Sequence, residues 1–343
     1  MSGQRRELDE DDVRVRPGRG KSRPRSKERP AHEDAADGFV VAVDRGRFTC
    51  VLGDPRDADA GTELFAIKSR ELGRKGVAVG DAVDLVGDLT GQTDTLARIV
   101  RVQQRQTLLR RTADDVDPVE RVLVANADQL AIVVAVADPE PRPRLIDRCL
   151  VAAYDAGLDP LLVLTKSDLA DPQPLLASYG ALDVPYLVTR REGRELGGVG
   201  PVRERLQGRF SVLVGHSGVG KSTLVNALVP GAERATGRVN DVTGRGRHTS
   251  ASTVALPLPG GGWVVDLPGV RSFGLAHVRV DRLLQAFPEL AAGTTDCPRG
   301  CTHDEPECAL DAWVADGHAG ASGSARLESF RRLLRALRGD PDS

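Results

Sequence analysis

The chain carries the run Gly215-His216-Ser217-Gly218-Val219-Gly220-Lys221-Ser222, followed by Thr223. Glycines at this spacing let backbone N–H groups turn toward phosphate oxygens, and a helix opening at the lysine adds the positive end of its dipole. Lys221 is placed to reach the outer phosphates, and Ser222 to ligate Mg2+. The run lies between a predicted strand, Phe210-Ser211-Val212-Leu213-Val214, and a predicted helix from Lys221 to Leu228. That context distinguishes a phosphate loop from an ordinary glycine turn. Residues Gly215 to Thr223 are therefore expected to bind nucleotide.

Two further runs bear on the same chemistry. Downstream, the predicted strand Trp263-Val264-Val265 ends in Asp266-Leu267-Pro268-Gly269, 45 residues beyond Lys221. An aspartate there can hold Mg2+ through water, and Gly269 can sense the third phosphate through its amide. Upstream, the predicted strand Leu161 to Leu164 ends in Thr165-Lys166-Ser167-Asp168. A carboxylate at Asp168 can accept two hydrogen bonds from the ring nitrogen and amino group of guanine, a donor pair that adenine lacks. This favours GTP over ATP and argues against an ATP-using kinase or ATPase. Asparagine is the usual first residue of this motif, and Thr165 departs from it. The segment closing the base pocket is expected near Val188-Thr189-Arg190.

The order of these motifs is informative. An ordinary small GTPase meets its phosphate loop first and its base reader last, whereas here Asp168 precedes Lys221. The same sheet can be threaded this way if the old termini are joined and the chain is opened elsewhere. The order also puts Asp266 to Gly269 immediately before the C-terminal segment, so a change at the third phosphate can pass directly to it.

A third constellation is Cys297-x3-Cys301-x-His303-x4-Cys308. Three thiolates and an imidazole match tetrahedral Zn2+, with no open position, so one structural zinc ion is expected. His318 is a spare ligand candidate. The other two of the five cysteines, Cys50 and Cys149, stand alone in apolar stretches, a distribution unlike a disulfide framework.

These residues need elements to hold them. From Gly38 to about Val102 short apolar alternations are broken by turns such as Asp44-Arg45-Gly46 and Val79-Gly80-Asp81. About five short strands in this span predict a small closed barrel of the oligonucleotide-binding (OB) type, with a barrel of another class as the alternative. Beyond Arg105 the pattern becomes continuous apolar strands alternating with helices. The run Gln129 to Val136 reads as a central parallel strand and Leu145 to Ala156 as a helix, giving an α/β domain. The last helix, from about Ser324 to Arg338, puts Leu327, Phe330, Leu334 and Leu337 on one side and Arg331, Arg332, Arg335 and Arg338 around the rest. It reads as a packing face with a solvated basic rim, or as an RNA-contacting helix. The expected division is a basic arm over 1–37, the barrel over 38–105, the nucleotide-binding domain over 106–280 and a zinc-binding helical module over 281–343.

Composition sets the outer limits. A chain of 343 residues with 40% apolar residues can build several packed cores. It has no run of about 18 apolar residues and its start leads into acidic residues, so cytoplasmic placement and no membrane association are expected. The formal charge is only −2, but residues 14–30 hold eight Lys or Arg against the single acid Glu28, interleaved with prolines. This stretch reads as a disordered basic arm, either merely solvating or in contact with RNA. Lysine is scarce, six against 41 arginines, yet two of the six are Lys166 and Lys221.

Over residues 38 to about 338 the chain resembles the ribosome small-subunit-dependent GTPase A family (RsgA, also YjeQ). The resemblance is carried by Gly215 to Leu224, by Gly244-Arg245-Gly246-Arg247-His248-Thr249, by Asp266-Leu267-Pro268-Gly269-Val270-Arg271-Ser272-Phe273 and by Cys297 to Cys308. It implies a multi-domain fold: an N-terminal OB-type β-barrel, a central circularly permuted α/β phosphate-loop (P-loop) GTPase domain and a C-terminal helical zinc-binding module. It also implies a GTPase that binds the small (30S) ribosomal subunit and its rRNA late in assembly, and that hydrolyses GTP to GDP faster when bound there. A monomer is expected. Thr249 would ligate Mg2+ and close on the third phosphate. Val270 stands where many GTPases carry the glutamine that orients water, and the resemblance makes His248 the catalytic candidate instead. A histidine in a glycine- and arginine-rich loop can move and can exchange a proton near neutral pH. An inert nucleotide pocket on an RNA-binding module is the rival reading.

Overall fold

The computed structural model describes residues 32–338, apart from 45, 55, 57–60, 74–75, 93, 112–120, 233–252, 268–274 and 276. His248, Thr249, Gly269, Val270 and the arm over 14–30 lie outside the described residues.

Five strands come first: β1 (Ala36–Asp44), β2 (Arg47–Leu52), β3 (Glu63–Lys68), β4 (Ala82–Gly87) and β5 (Ala97–Val102). They pair in the order β1-β2-β3-β5-β4, and β4 closes on β1 through Ala36↔Leu85 to Phe39↔Ala82. Alternation drives the closure. Val40, Phe48, Cys50, Leu64, Ala66, Val83, Leu85, Ala97 and Ile99 point inward and fill the barrel, while their neighbours face out. This is the closed barrel expected from the turn spacing.

A hairpin of β6 (Leu108–Arg111) and β7 (Arg121–Ala125), absent from the sequence reading, leads out of the barrel. Asn126 fixes this exit: its side chain donates to the Gly80 carbonyl at 2.8 Å and accepts from the Gln106 N–H at 2.8 Å. Both partners lie on the barrel side, so one buried amide welds barrel to hairpin.

The second half of the fold begins with β8 (Gln129–Ala135), buried throughout, then α1 (Pro143–Ala156) and β9 (Asp159–Thr165). Pro143 opens α1, where its missing N–H costs nothing, and Gly157 closes it in the left-handed region. There follow α2 (Gln173–Tyr179), β10 (Tyr186–Val188), the hairpin β11 (Arg190–Glu192) and β12 (Glu195–Gly197), and α3 (Val199–Leu206). Next come β13 (Phe210–Val214), α4 (Lys221–Leu228), β14 (Val254–Pro257) and β15 (Trp263–Asp266).

These strands form the order β10-β9-β8-β13-β15-β14, parallel except for β14. The chain enters the sheet at β8, builds one half outward through β9 and β10, returns to the centre at β13, and then builds the other half. That threading is the circular permutation inferred from motif order. β14 pairs with the barrel through Ala42↔Val254, and Phe39 meets Phe210 edge-on at 4.9 Å, so barrel and sheet share a core.

The chain ends in α5 (Val280–Leu284), α6 (Pro288–Ala291), α7 (Ala309–Ala315) and α8 (Gly323–Arg338). Leu327, Phe330, Leu333 and Leu334 of α8 are buried, as its apolar side requires. The arginines of its basic rim carry acidic partners. Arg331 bonds Asp311 at 2.6 and 2.9 Å, and Arg332 pairs with buried Asp147 of α1 at 3.2 Å and stacks over Tyr179. Arg335 and Arg338 both pair with Asp304. Guanidinium groups form flat forks that can satisfy carbonyls and carboxylates together, so α8 serves as a clamp. Among the described residues no helix is long and apolar enough to cross a membrane.

Candidate nucleotide and metal sites

β13 ends in the sheet centre and delivers the glycine-rich run to its C-terminal edge, where ligands of open α/β sheets bind. Gly215 lies so close to β8 that a Cβ there would stand 2.6 Å from the Val133 carbonyl. Gly218 and Gly220 have φ of 85° and 89°, which other residues adopt only with strain. Val219 between them is buried in the apolar cluster under the sheet and anchors the loop. Ser217 and Gly218 remain exposed, as do Ser222 and Thr223 in the first turn of α4, while His216 is half-buried with its Nδ1 2.7 Å from the Ser217 carbonyl oxygen. The loop therefore has an inward anchor and an outward polar rim.

Lys221 reaches across to the end of β15. Its ammonium pairs with the Asp266 carboxylate and donates to the Leu267 carbonyl at 3.2 Å. Burial lowers its pKa to about 8. Lys221 and the Mg2+ candidate Asp266, 45 residues apart in sequence, are thus in direct contact.

The run Thr165-Lys166-Ser167-Asp168 stands at the end of strand β9. The buried Thr165 hydroxyl donates to the Val219 carbonyl at 2.5 Å, joining this run to the phosphate loop. Lys166 bends away with φ of 59°, and its ammonium donates to the Asp138 carbonyl. Ser167 Oγ donates to the Thr189 carbonyl at 3.2 Å. Asp168 is exposed, and its Oδ1 accepts the Arg191 N–H at 2.8 Å, a bond that holds its carboxyl below the usual range. The four residues therefore fan around one rim, with Thr165 tied inward and Asp168 outward.

The segment expected to close the base pocket, near Val188-Thr189-Arg190, borders this rim: Thr189 is buried, with its N–H on the Leu164 carbonyl at 2.7 Å, and Arg191, one residue beyond that segment in the β11–β12 hairpin, meets Asp168. The apolar period could not reveal this, because the short exposed hairpin has none.

In the C-terminal module, ligand atoms of Cys297, Cys301, His303 and Cys308 all lie within 4.8 Å of one another. Cys297 Sγ is 3.6 Å from His303 Nδ1 and 3.9 Å from Cys308 Sγ; Cys301 Sγ is 3.8 Å from the same nitrogen. Tetrahedral ligands about 2.0–2.3 Å from one ion are separated by edges close to these, so the donor set could hold a metal ion. Surrounding groups brace it: Glu305 accepts from the Thr302 N–H at 3.0 Å, and Arg331 donates to the His303 carbonyl at 3.0 Å. His318 instead stacks on Trp313 at 4.4 Å, and the four-residue cluster does not include it.

A family model described as RsgA GTPase matches residues 102–276. The chain belongs to the RsgA GTPase family. It is a GTP-hydrolysing enzyme of circularly permuted type. The small ribosomal subunit biogenesis GTPase RsgA of Chlorobaculum parvum is 35% identical over 314 residues, 89% of this chain and 99% of the relative. Its counterpart from Ectopseudomonas mendocina is 43% identical over 224 residues; this match spans 63% of either chain, less than two thirds of that relative's length. Among solved structures, YjeQ from Thermotoga maritima superposes with a TM-score of 0.64 at 28% identity, covering 89% of this chain and 99% of that one. YloQ, described as a circularly permuted GTPase, matches in fold with a TM-score of 0.62 at 21% identity, over 91% and 98% of the two chains.

Proposed function

We propose that this RsgA-family enzyme binds GTP between Asp168 and Lys221, and that it assists late maturation of the small ribosomal subunit, which stimulates its turnover. The observation that supports the nucleotide reading is the Thr165–Val219 hydrogen bond, which joins the run bearing Asp168 to the glycine-rich run. Asp168 accepts the guanine donors, backbone amides from Gly215 to Thr223 and the Lys221 ammonium take the phosphates, and His248 assists attack by water. Ser222, Thr249 and Asp266 would hold Mg2+, which neutralises phosphate charge when bound, and Gly269 reports the third phosphate. The partner reading is supported by relatives named for small-subunit biogenesis, one of which this chain covers over 99% of its length.

The division into arm (1–37), barrel (38–105), GTPase domain (106–280) and C-terminal module (281–343) belongs to this proposal. So does Zn2+ as the occupant of the Cys3His cluster: three soft thiolates with one imidazole select it over harder ions. A cytoplasmic monomer that contacts rRNA completes the picture.

The test is GTP turnover by the purified chain with and without purified small subunits. Acceleration by subunits, with GTP but not ATP competing for a fluorescent guanine nucleotide, is expected. Turnover unaffected by subunits would remove the partner from the proposal, and equal competition by ATP would remove the base assignment.

A further inference from the structure

The glycine-rich loop carries one side chain that its backbone chemistry leaves without a part. His216 occupies the second position of the loop, and its imidazole Nδ1 lies 2.7 Å from the carbonyl oxygen of Ser217. A carbonyl oxygen can only accept, so this contact is a hydrogen bond with the proton on Nδ1. The neutral Nδ1–H tautomer and the imidazolium both supply that proton, and the Nε2–H tautomer does not. Glu140 and Arg142 line the same small cavity as the ring, but neither is hydrogen-bonded to it among the described residues.

The bond lands on a peptide that has two possible settings. The Val219 N–H donates to the His216 carbonyl at 3.4 Å, closing a four-residue turn with Ser217 and Gly218 at its centre. Gly218 has φ of 85° while Ser217 keeps a negative φ, which makes the turn type II. Types I and II share their ends and differ by about half a turn of the central peptide. Glycine at 218 tolerates either setting, so the backbone alone does not choose. The carbonyl and N–H of a trans peptide point in opposite directions. With the Ser217 carbonyl held on the imidazole, the exposed Gly218 presents its N–H to the other side, where it has no partner among the described residues.

We propose that His216 is a positioning residue for GTP hydrolysis: its Nδ1–H holds the Ser217–Gly218 peptide so that the Gly218 N–H, and not the carbonyl, faces the oxygen bridging the second and third phosphates. As water attacks the terminal phosphorus, the bond to the bridging oxygen breaks and its electron pair stays on that oxygen. GDP leaves, and the protons of the water end on the released phosphate and in solvent. A donor fixed on the bridging oxygen stabilises this transition state more than it stabilises bound GTP, whereas a carbonyl turned there repels the growing charge. The inference rests on the placement of the phosphates at the Gly215–Thr223 loop proposed above, and adds a loop side chain to the chemical step.

The test compares the full chain with His216→Asn and His216→Leu. Asparagine can offer an N–H where the histidine offers Nδ1–H, and leucine branches in the same way with no donor. In single-turnover hydrolysis of GTP without subunits, leucine is expected to slow the rate by roughly tenfold, less than outright deletion of a donor because the amide is loosened and not removed. Asparagine restores most of the rate, and GDP affinity, read with a fluorescent analogue, is unchanged in both. Nitrogen-15 NMR of the histidine-labelled chain, with the asparagine variant assigning the signal, is expected to show a proton on Nδ1 of His216. Circular dichroism melts establish that each variant is folded. Equal rates in all three proteins, an equal fall in both variants, or a ring protonated at Nε2 alone overturns the proposal. Weaker nucleotide binding with an unchanged rate also overturns it, and makes His216 a brace of the binding loop only. Guanine-nucleotide binding by the wild type and its weakening in Lys221→Ala, measured alongside, test the placement of the phosphates separately.

Discussion

The hydroxyl of Thr165 donates to the carbonyl of Val219 at 2.5 Å, and both residues are buried. One bond therefore couples the strand that ends in the proposed base reader to the loop proposed to cradle phosphate. Its length and burial account for a residue that departs from the usual asparagine: a short β-branched hydroxyl spans the gap between β9 and the loop and also favours the strand it ends.

Thr165→Val keeps the shape and strand preference but leaves the Val219 carbonyl unsatisfied. Such a loss costs about 1–3 kcal/mol. Because the bond sets the spacing between base and phosphate subsites, GTP and GDP affinity should fall together, by roughly tenfold. Titration calorimetry of wild type, Thr165→Val and Thr165→Ser checks this. The serine variant keeps the donor and should bind as wild type; a valine variant that also binds as wild type would detach Thr165 from nucleotide binding.

Much of this site was legible in the sequence because its signals are local. Glycine spacing, scarce lysines and apolar runs of strand length fixed the loop, both flanking strands and α4 within a residue or two. Motif order revealed the permuted threading. What stayed hidden was long-range or exposed: the β6–β7 hairpin, the Arg191 N–H that meets Asp168, and the acidic partners of the α8 arginines. A row of arginines on an amphipathic helix looks solvated until the fold brings Asp147, Asp304 and Asp311 to it.

Lys221 titrates within reach of experiment because burial lowers its pKa to about 8. Bound phosphates stabilise the ammonium, so the bound form holds its proton to higher pH than the free enzyme. Nucleotide affinity should accordingly be flat below about pH 8 and fall as pH rises above it. Lys221→Ala should abolish this fall and lower affinity by roughly 10- to 100-fold at neutral pH. Fluorescent guanine nucleotide titrations across this range read both effects, and a pH-independent wild type would contradict the lowered pKa.

His248 is proposed as the group that replaces the glutamine missing at Val270. His248→Ala should retain GTP affinity and lose most of the subunit-stimulated turnover, about 10²-fold for a lost proton-transfer group. Single-turnover assays with small subunits separate this from slow product release. Unchanged stimulated turnover would take His248 out of the mechanism.

The four candidate metal ligands come from one loop, yet its carbonyls are gripped by α8: Arg338 donates to the Thr302 carbonyl at 2.9 Å and Arg331 to that of His303. Metal and clamp should therefore stabilise each other. Structural zinc sites bind with apparent free energies of about 10–16 kcal/mol, which act as folding energy. Chelation or Cys301→Ser should loosen residues 281–338, seen as faster hydrogen exchange there, and Arg331→Ala should raise the zinc dissociation constant. A chain that loses its metal without change in exchange over this segment would show that the clamp alone suffices.

Asp147 joins α1 to the same clamp, and burial raises its pKa from 3.8 to about 6 despite the opposing Arg332 charge and the Tyr179 hydroxyl. In the unfolded chain the carboxyl ionises near its ordinary value. Between about pH 4 and 6 the folded state therefore holds a proton that the unfolded state has lost, and stability from this group falls as pH rises through that window. Asp147→Asn has no such titration. Wild type should thus gain stability relative to the variant on acidification from about pH 7 to 4, by roughly 2 kcal/mol. Urea unfolding of both proteins at each pH cancels the contributions of other groups, including the metal ligands. A difference that stays constant would mean that Arg332 keeps Asp147 ionised throughout, and the α1–α8 contact would then be an ion pair at every pH tested.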